Sequence, residues 1–292
     1  MKPAAFDYYA PASVDDALAR LSELGDEGKV LAGGQSLVPM MNMRLATPGG
    51  LVDIGGIDEL NSIEVDADTV TVGANVTAEQ LRTHTAAIEA CPLLRQGLDH
   101  VAHRVIRNRG TVVGSLVHAD PAGEMPGVFA LLDAEIEIRH RDHTRTVTGS
   151  ELFLGALEAD VGEGELATKA RFPVTPERTG SAFHELSRRH GDYALAGVAA
   201  LVAVDADATL ATARLAVIGV ADRPVVLDLT EPLQQRRPDD LEAAAKLVRE
   251  HLDPVSDIHG SADYRRHLAG VLAVRALTEA AGNARSRERS VT

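Results

Sequence analysis

The sequence predicts an α+β protein: a two-lobed N-terminal domain followed by a smaller α+β C-terminal one. Three observations carry this. Short strand and helix patterns mix in the first 56 residues, hairpin-like alternation takes over from about residue 60, and the last third runs strands first and helices after. That last order opposes a single doubly wound sheet. The stretch "FPVTPERTG" holds two prolines and a glycine and marks the domain break. The expected division is residues 1–176, with lobes 1–56 and 57–176, then 177–282, then a disordered tail at 283–292. No internal repeat is present.

The first lobe opens with "SVDDALARLSEL", where Ser13 is suited to cap a helix and Ala17, Leu18, Leu21 and Leu24 share one face. A short strand at 29–32 follows, then a glycine turn, a short helix from about Leu37, and a strand in "LVDI". In the second lobe, "SIEVDADTVTVGA" alternates like a hairpin, and Thr77 and Gln80 form a capping-box pattern. "AEIEIRHRDHTRTVT" reads as a second hairpin, and residues 165–172 as a strand ending at Pro173. The last third offers strands in "SAFHELSRR", at 198–204 and in "ARLAVIGV". Helices are expected at 239–251 and 261–281, the second closed by Gly282.

Composition narrows the function. The chain has 292 residues, 45% hydrophobic, with a formal net charge of −14. That acidity repels phosphate backbones and argues against a nucleic-acid partner. A single cysteine, Cys91, can form no internal disulfide and cannot supply the thiolates of an iron–sulfur cluster. The start "MKPAAFDYYAP" has proline and aspartate where a signal peptide needs an apolar core, and the longest apolar run, 194–204, is too short to cross a bilayer. A cytoplasmic location is expected.

Two stretches carry candidate binding chemistry. In "AGGQSL" (Ala32, Gly33, Gly34, Gln35, Ser36, Leu37), the glycines let successive backbone N–H groups converge on an anion, and Ser36 is placed to cap the next helix. A plain strand–turn–helix explains that motif about equally well. "RNRGTVVGSLVHADPAGEMP" repeats the chemistry, with Gly110, Thr111, Gly114 and Ser115 around what reads as a short apolar strand. Asp120 and Glu124 follow and could accept hydrogen bonds from ribose hydroxyls. Two phosphate-cradling loops with nearby carboxylates suit one dinucleotide. Neither a P-loop nor a G-x-G-x-x-G fingerprint exists, so the nucleotide fold is a different one. In "RRHGDY", Tyr193 on a glycine-bearing loop could lie beside a planar cofactor or pack on its own domain. His140 and His143 sit at a hairpin tip among Arg139, Arg141 and Arg145, whose charge opposes a metal. No nucleophile–base constellation and no metal site stand out.

Together these stretches resemble the flavoprotein (medium) subunit of the molybdenum hydroxylases, the carbon monoxide dehydrogenase and xanthine dehydrogenase type. Five motifs carry the likeness in order: "MKPAAFDYYAP", "LAGGQSLVPMMNMRL", "IRNRGTVVGSLVHADPAGEMP", "RRHGDYALAGVAA" and "SADYRRHLAGVLAVRAL". The resemblance implies a two-lobed FAD-binding domain of the vanillyl-alcohol-oxidase (PCMH) type and a CO-dehydrogenase-flavoprotein-like C-terminal domain. It implies that residues 32–37 wrap the FAD pyrophosphate with Lys29 close by, and that Thr111, Gly114 and Ser115 form a second wall. Ala102, Ile106, Val112 and Val113 join the implied cofactor-binding set. Glu124 matches the family's acidic ribose contact with Asp120 near it, Leu166 a backbone contact, and Tyr193 the aromatic beside the isoalloxazine. Val113-Gly114 departs from the usual Gly-Gly, and His184 stands where lysine is common. The molybdopterin cofactor is then expected on a large partner subunit and [2Fe-2S] clusters on a small one, in a dimer of heterotrimers. Electrons would pass from those clusters to FAD and on to an external acceptor. A self-sufficient flavin oxidase of the same fold, or a non-catalytic scaffold without FAD, are the alternatives.

Overall fold

The computed structural model describes residues 2–205, 207, 209–234 and 241–289. Its first lobe runs β1 (Asp7–Tyr9), α1 (Val14–Leu24), β2 (Gly28–Leu31), α2 (Leu37–Asn42) and β3 (Gly50–Asp53). These strands form a parallel sheet in the order β1-β3-β2. Helix α1 begins where Ser13 Oγ accepts the Asp16 N–H at 3.1 Å, and it buries Val14, Ala17, Leu18 and Leu21 as one stripe. Each fully buried leucine there contributes about 1.5–3 kcal/mol.

The second lobe holds β4 (Ile63–Val65), β5 (Thr69–Gly73), then a helical run of α3 (Ala78–Thr83), α4 (Thr85–Ala90), α5 (Pro92–Leu98), α6 (Arg104–Arg107), α7 (Val112–His118) and α8 (Glu124–Leu132). Strands β6 (Glu135–Arg139), β7 (Thr144–Thr148), β8 (Phe153–Gly155), β9 (Glu158–Ala159) and β10 (Leu166–Pro173) complete it. The main sheet is antiparallel, ordered β4-β5-β10-β6-β7, so both expected hairpins form and β10 lies between them. The Thr77–Gln80 capping box is present in both directions. Phe129 sits at the centre of the core, edge-on to Phe153 and Phe172.

The C-terminal part is β11 (Thr179–Ser187), β12 (Ala194–Val204), β13 (Leu210–Ile218), β14 (Val225–Asp228), α9 (Thr230–Leu233), α10 (Glu242–Glu250) and α11 (Ala262–Arg289). The four strands form an antiparallel sheet in chain order. Its two faces read out the strand period of two. Phe183, Ala199, Ala216 and Ile218 join the core of the N-terminal lobes, while Ala182, Val198, Val202 and Leu215 join a separate core under α11. The apolar run 194–204 is therefore a strand covered on both faces.

Two expectations need correction. Gly282 does not end the last helix. Helix α11 continues to Arg289, because Ala269, Ala273, Ala276, Ala280 and Ala284 form one fully buried stripe, and a Cβ at Gly282 would meet nothing within 4 Å. Most of the tail expected to be disordered is thus helical, while residues 290–292 lie outside the described residues. The helix expected at 239–251 is observed from Glu242, and its expected first residues fall in 235–240, also outside them.

Candidate functional site: a cleft between two glycine-bearing loops

The first loop leaves β2 and turns at Gly34, whose φ of +71° is left-handed and favours glycine. Gly33 is constrained differently. A Cβ there would lie 2.1 Å from the Arg109 carbonyl oxygen and 2.8 Å from Gly110 Cα. The two loops picked out in the sequence therefore touch backbone to backbone. Gln35 folds back to donate to the Gly33 carbonyl at 3.0 Å. Ser36 occupies the N-cap position of α2 but makes no cap bond. Its own backbone is already helical (φ −102°, ψ −48°), which turns the hydroxyl away from the first-turn amides that an extended cap residue reaches.

The second loop corrects the strand expected in "TVVGSLV". Residues Val112–His118 form helix α7, with Thr111 Oγ1 accepting the Gly114 N–H at 3.1 Å. The apolar run suggested a strand, but the cap and the burial of Val112, Val113 and Leu116 select a helix. Ala78 N donates to Gly110 O at 2.8 Å and Val112 N to Val76 O at 3.1 Å, tying this loop to the second lobe.

Between the loops lies a cavity of about 520 Å³. Its walls include Lys29, Ala32, Gly33, Gly34, Gln35, Ser36 and Leu37 on one side and Thr111, Val112, Val113, Gly114 and Ser115 on the other, with Ile106 and Leu166 between them. Sequence reasoning overlooked Arg107, His118, Met125 and Glu165, which also line it. Arg107 stood in plain view inside "RNRGT". Its Nε pairs with Glu79 at 3.0 Å, and its Nη1 donates to the carbonyls of Val101 (2.9 Å) and Ala102 (3.3 Å). Ala102 is outside the cavity wall, held in a left-handed turn at φ +41° that those bonds fix.

The remaining nominated residues are elsewhere. His184 faces α11, where its Nε2 lies 2.8 Å from Glu279 Oε2, so the alternation of β11 turns it away from the cavity. Asp120, Glu124 and Tyr193 stand beside one another outside the wall: the charges of Asp120 and Glu124 both bear on the Tyr193 hydroxyl and raise its pKa, after burial. Tyr193 is 70% exposed. Burial, with the neighbouring Glu185 charge, pushes the Glu124 carboxyl up to about 8, so at neutral pH it is an acid that can donate as well as accept. His140 and His143 stack 5.0 Å apart at the β6–β7 turn, and no cluster able to hold a metal occurs among the described residues.

The cavity suits an anionic dinucleotide with an apolar ring system. Lys29 and Arg107 place two cations in a largely apolar wall, and the Gly33 and Gly34 backbone comes to its surface without side chains. The one acidic wall residue, Glu165, is neutralised: Arg145 binds it through Nε at 2.8 Å and Nη2 at 2.7 Å, and the Gly162 N–H adds a third bond at 2.6 Å. Arg145 holds the Glu165 carboxyl down at about 2, and Arg82 with Arg107 does the same for Glu79. Both lowered values stabilise the fold above the ordinary carboxylate range, a contribution lost as pH falls from about 4.5 toward 2. The thermal midpoint should drop across that window. Arg145→Met should lower it at neutral pH and flatten the drop; an unchanged acid profile would contradict the role given to this pair.

Residues 4–175 match the family described as the FAD binding domain in molybdopterin dehydrogenase, and residues 181–280 match the CO dehydrogenase flavoprotein C-terminal domain. The chain belongs to the FAD-binding medium subunits of the molybdenum hydroxylases. It is 37% identical to the 6-hydroxypseudooxynicotine dehydrogenase complex subunit alpha of Paenarthrobacter nicotinovorans, over 100% of this chain and 99% of that one. It is 38% identical to the caffeine dehydrogenase subunit beta of Pseudomonas sp. (strain CBB1), over 96% of both chains. Its fold superposes on a chain of the carbon monoxide dehydrogenase of Hydrogenophaga pseudoflava with a TM-score of 0.91, at 33% identity, covering 98% of this chain and 99% of that one. The protein is thus an oxidoreductase subunit with an FAD-binding domain.

Proposed function

We propose that the chain forms a dimer of heterotrimers with a large molybdopterin subunit and a small iron–sulfur subunit, that its FAD takes electrons from [2Fe-2S] clusters of the small subunit and passes them to an external acceptor, and that the complex is cytoplasmic. The observation that carries the reading is the backbone contact of Gly33 with Arg109 and Gly110, which draws two separate loops to one cavity. When bound, FAD supplies the two-electron chemistry, and the chain supplies binding, orientation and electrostatics. In this reading residues 1–176 are the FAD-binding domain and 177–282 the C-terminal domain.

Lys29 and Arg107 would balance the pyrophosphate charge, while the backbone N–H groups around Gly33, Gly34 and Gln35 and the hydroxyls of Ser36 and Ser115 offer donors to its oxygens. Asp120 and Glu124 would hold ribose hydroxyls, and Leu166 would close the wall with its backbone. The Tyr193 ring, exposed on the loop before β12, is free to lie against the flavin. Among the described residues no helix is long and apolar enough to cross a membrane, in keeping with the location proposed. Purifying the chain from its own cells tests the assembly. Iron and molybdenum should travel with it in fixed ratio to flavin, at a mass twice that of the heterotrimer. A lone flavoprotein that oxidises an organic substrate with neither metal present would sink the reading.

A further inference from the structure

One glycine in the "RRHGDY" stretch, Gly191, has no part in the binding scheme above. Among the described residues the cavity wall is built from 29–167 alone, so the C-terminal part supplies none of its lining. That part nevertheless reaches the cavity's edge. The connection between β11 and β12, residues 188–193, is a self-bonded turn. Asp192 N donates to Arg189 O at 3.0 Å, Ser187 Oγ to the same carbonyl at 2.7 Å, and Arg188 Nη2 to Asp192 Oδ2 at 3.2 Å. Within it Gly191 is left-handed, with φ +78°. A Cβ there would lie 2.6 Å from His103 Cε1, 2.8 Å from Nδ1 and 3.0 Å from Nε2. Three ring atoms at nearly one distance put the face of the imidazole on the glycine. The His190 ring flanks it, 5.8 Å away by centroids.

His103 is bonded in turn to the cavity wall. It precedes α6 with an extended backbone, φ −110° and ψ 158°, and its side chain makes no cap bond to that helix. Its carbonyl accepts the N–H groups of Ile106 at 2.8 Å and Arg107 at 3.0 Å, and both of those residues line the cavity. On the other side, the Arg107 guanidinium holds the carbonyls of Ala102 and of Val101, another wall residue. Residues 101–107 are thus one hydrogen-bonded unit of the wall. Little burial fixes that unit from within: the Arg104 side chain is 78% exposed and Val105 is 76% exposed. A single helical turn with so few buried contacts is held by what packs against it.

We propose that His103 is a positioning residue for cofactor binding: its ring, seated on Gly191, braces segment 101–107 against the C-terminal hairpin and so fixes Ile106 and Arg107 in the cavity wall. The effect on the cofactor rests on the FAD reading given above; the seat itself does not. The seat uses a flat ring rather than a charge, so another aromatic side chain can take the place of imidazole. It also requires glycine at 191, because a Cβ would evict the ring as well as strain the turn. The C-terminal part thereby contributes to cofactor affinity without lining the cavity. By reciprocity, a filled cavity steadies the hairpin turn.

Two measurements on the full chain test this. In the first, amide hydrogen exchange is followed by mass spectrometry without cofactor. Exchange across 101–107 should quicken in Gly191→Ala and in His103→Ala, and stay at the wild-type rate in His103→Phe. The double variant should exchange there no faster than His103→Ala, since the ring that alanine at 191 would evict is already gone. Unchanged exchange of 101–107 in Gly191→Ala overturns the seat, as do additive effects in the double variant. Gly191→Ala decides the matter even if a His103 variant does not fold. In the second, the same proteins are titrated with FAD. Affinity should fall at least about fivefold in Gly191→Ala and His103→Ala, the lower end of coupling between sites, and be restored in His103→Phe. Wild-type affinity in both alanine variants overturns the positioning role, as does a His103→Phe chain that binds as weakly as His103→Ala. A wild-type chain that shows the exchange pattern but takes up no FAD overturns the functional reading, and the positioning role with it, while the seat stands.

Discussion

Replacing Gly33 with alanine should strip flavin from the chain and destabilise it by about 3 kcal/mol, the upper end of the cost of overpacking. The added Cβ would sit 2.1 Å from the Arg109 carbonyl oxygen and 2.8 Å from Gly110 Cα, so it meets backbone on a capped, hydrogen-bonded loop rather than a side chain able to swing away. The loops must part, and the cavity between them loses its shape. Gly56→Ala is the matched control, since a Cβ there meets nothing within 4 Å, and its effect should stay within about 0.5 kcal/mol. Thermal midpoints and the ratio of flavin to protein absorbance read both consequences. If Gly33→Ala keeps its flavin and its midpoint, the contact between the loops is not what builds the site.

Arg107→Met should be nearly as damaging, and for a different reason. The Arg107 side chain is 12% exposed, and its guanidinium bridges Glu79 to the Val101 and Ala102 carbonyls at the cavity edge. Methionine keeps the packing volume but leaves those carbonyls without their donor and removes a cation from the wall. With hydrogen bonds to charged groups contributing about 1.5–3 kcal/mol, a loss of about 3 kcal/mol is expected. FAD affinity should fall tenfold or more, because the left-handed turn at Ala102 is released at the same time. Arg107→Lys should recover only part of either loss: it restores charge but not the fork that reaches several acceptors. Denaturant unfolding and flavin-fluorescence titration separate the two effects. Equal affinity in Arg107→Met and wild type would return Arg107 to a purely structural role.

Much of this was legible from local signals. Ser13 and Thr77 announced helix starts because their side chains act within one turn, and the hairpins announced themselves by alternation. The failures lie where tertiary contact decides. Val112 to His118 has the apolar texture of a strand, yet the Thr111 cap and burial of one face make it helical. Gly282 looks like a terminator, but a helix whose alanine stripe lies against β11 passes through a glycine whose Cβ position is empty. His184 drew notice by its motif position, whereas strand alternation puts its neighbour Glu185 on the face that meets the N-terminal lobes. The loops AGGQS and RNRGT were readable as a pair, but their mutual contact was not, since no sequence pattern records that Gly33 abuts Arg109.

The central claim is that one FAD lies between these two loops. Titrating the cofactor-free full chain with FAD, followed by flavin fluorescence, tests it most directly. The account predicts saturation at one FAD per chain, and binding that is abolished by Gly33→Ala but kept by Gly56→Ala. A folded wild-type chain that takes up no FAD, or a Gly33→Ala chain that binds it with unchanged affinity and stoichiometry, would contradict it.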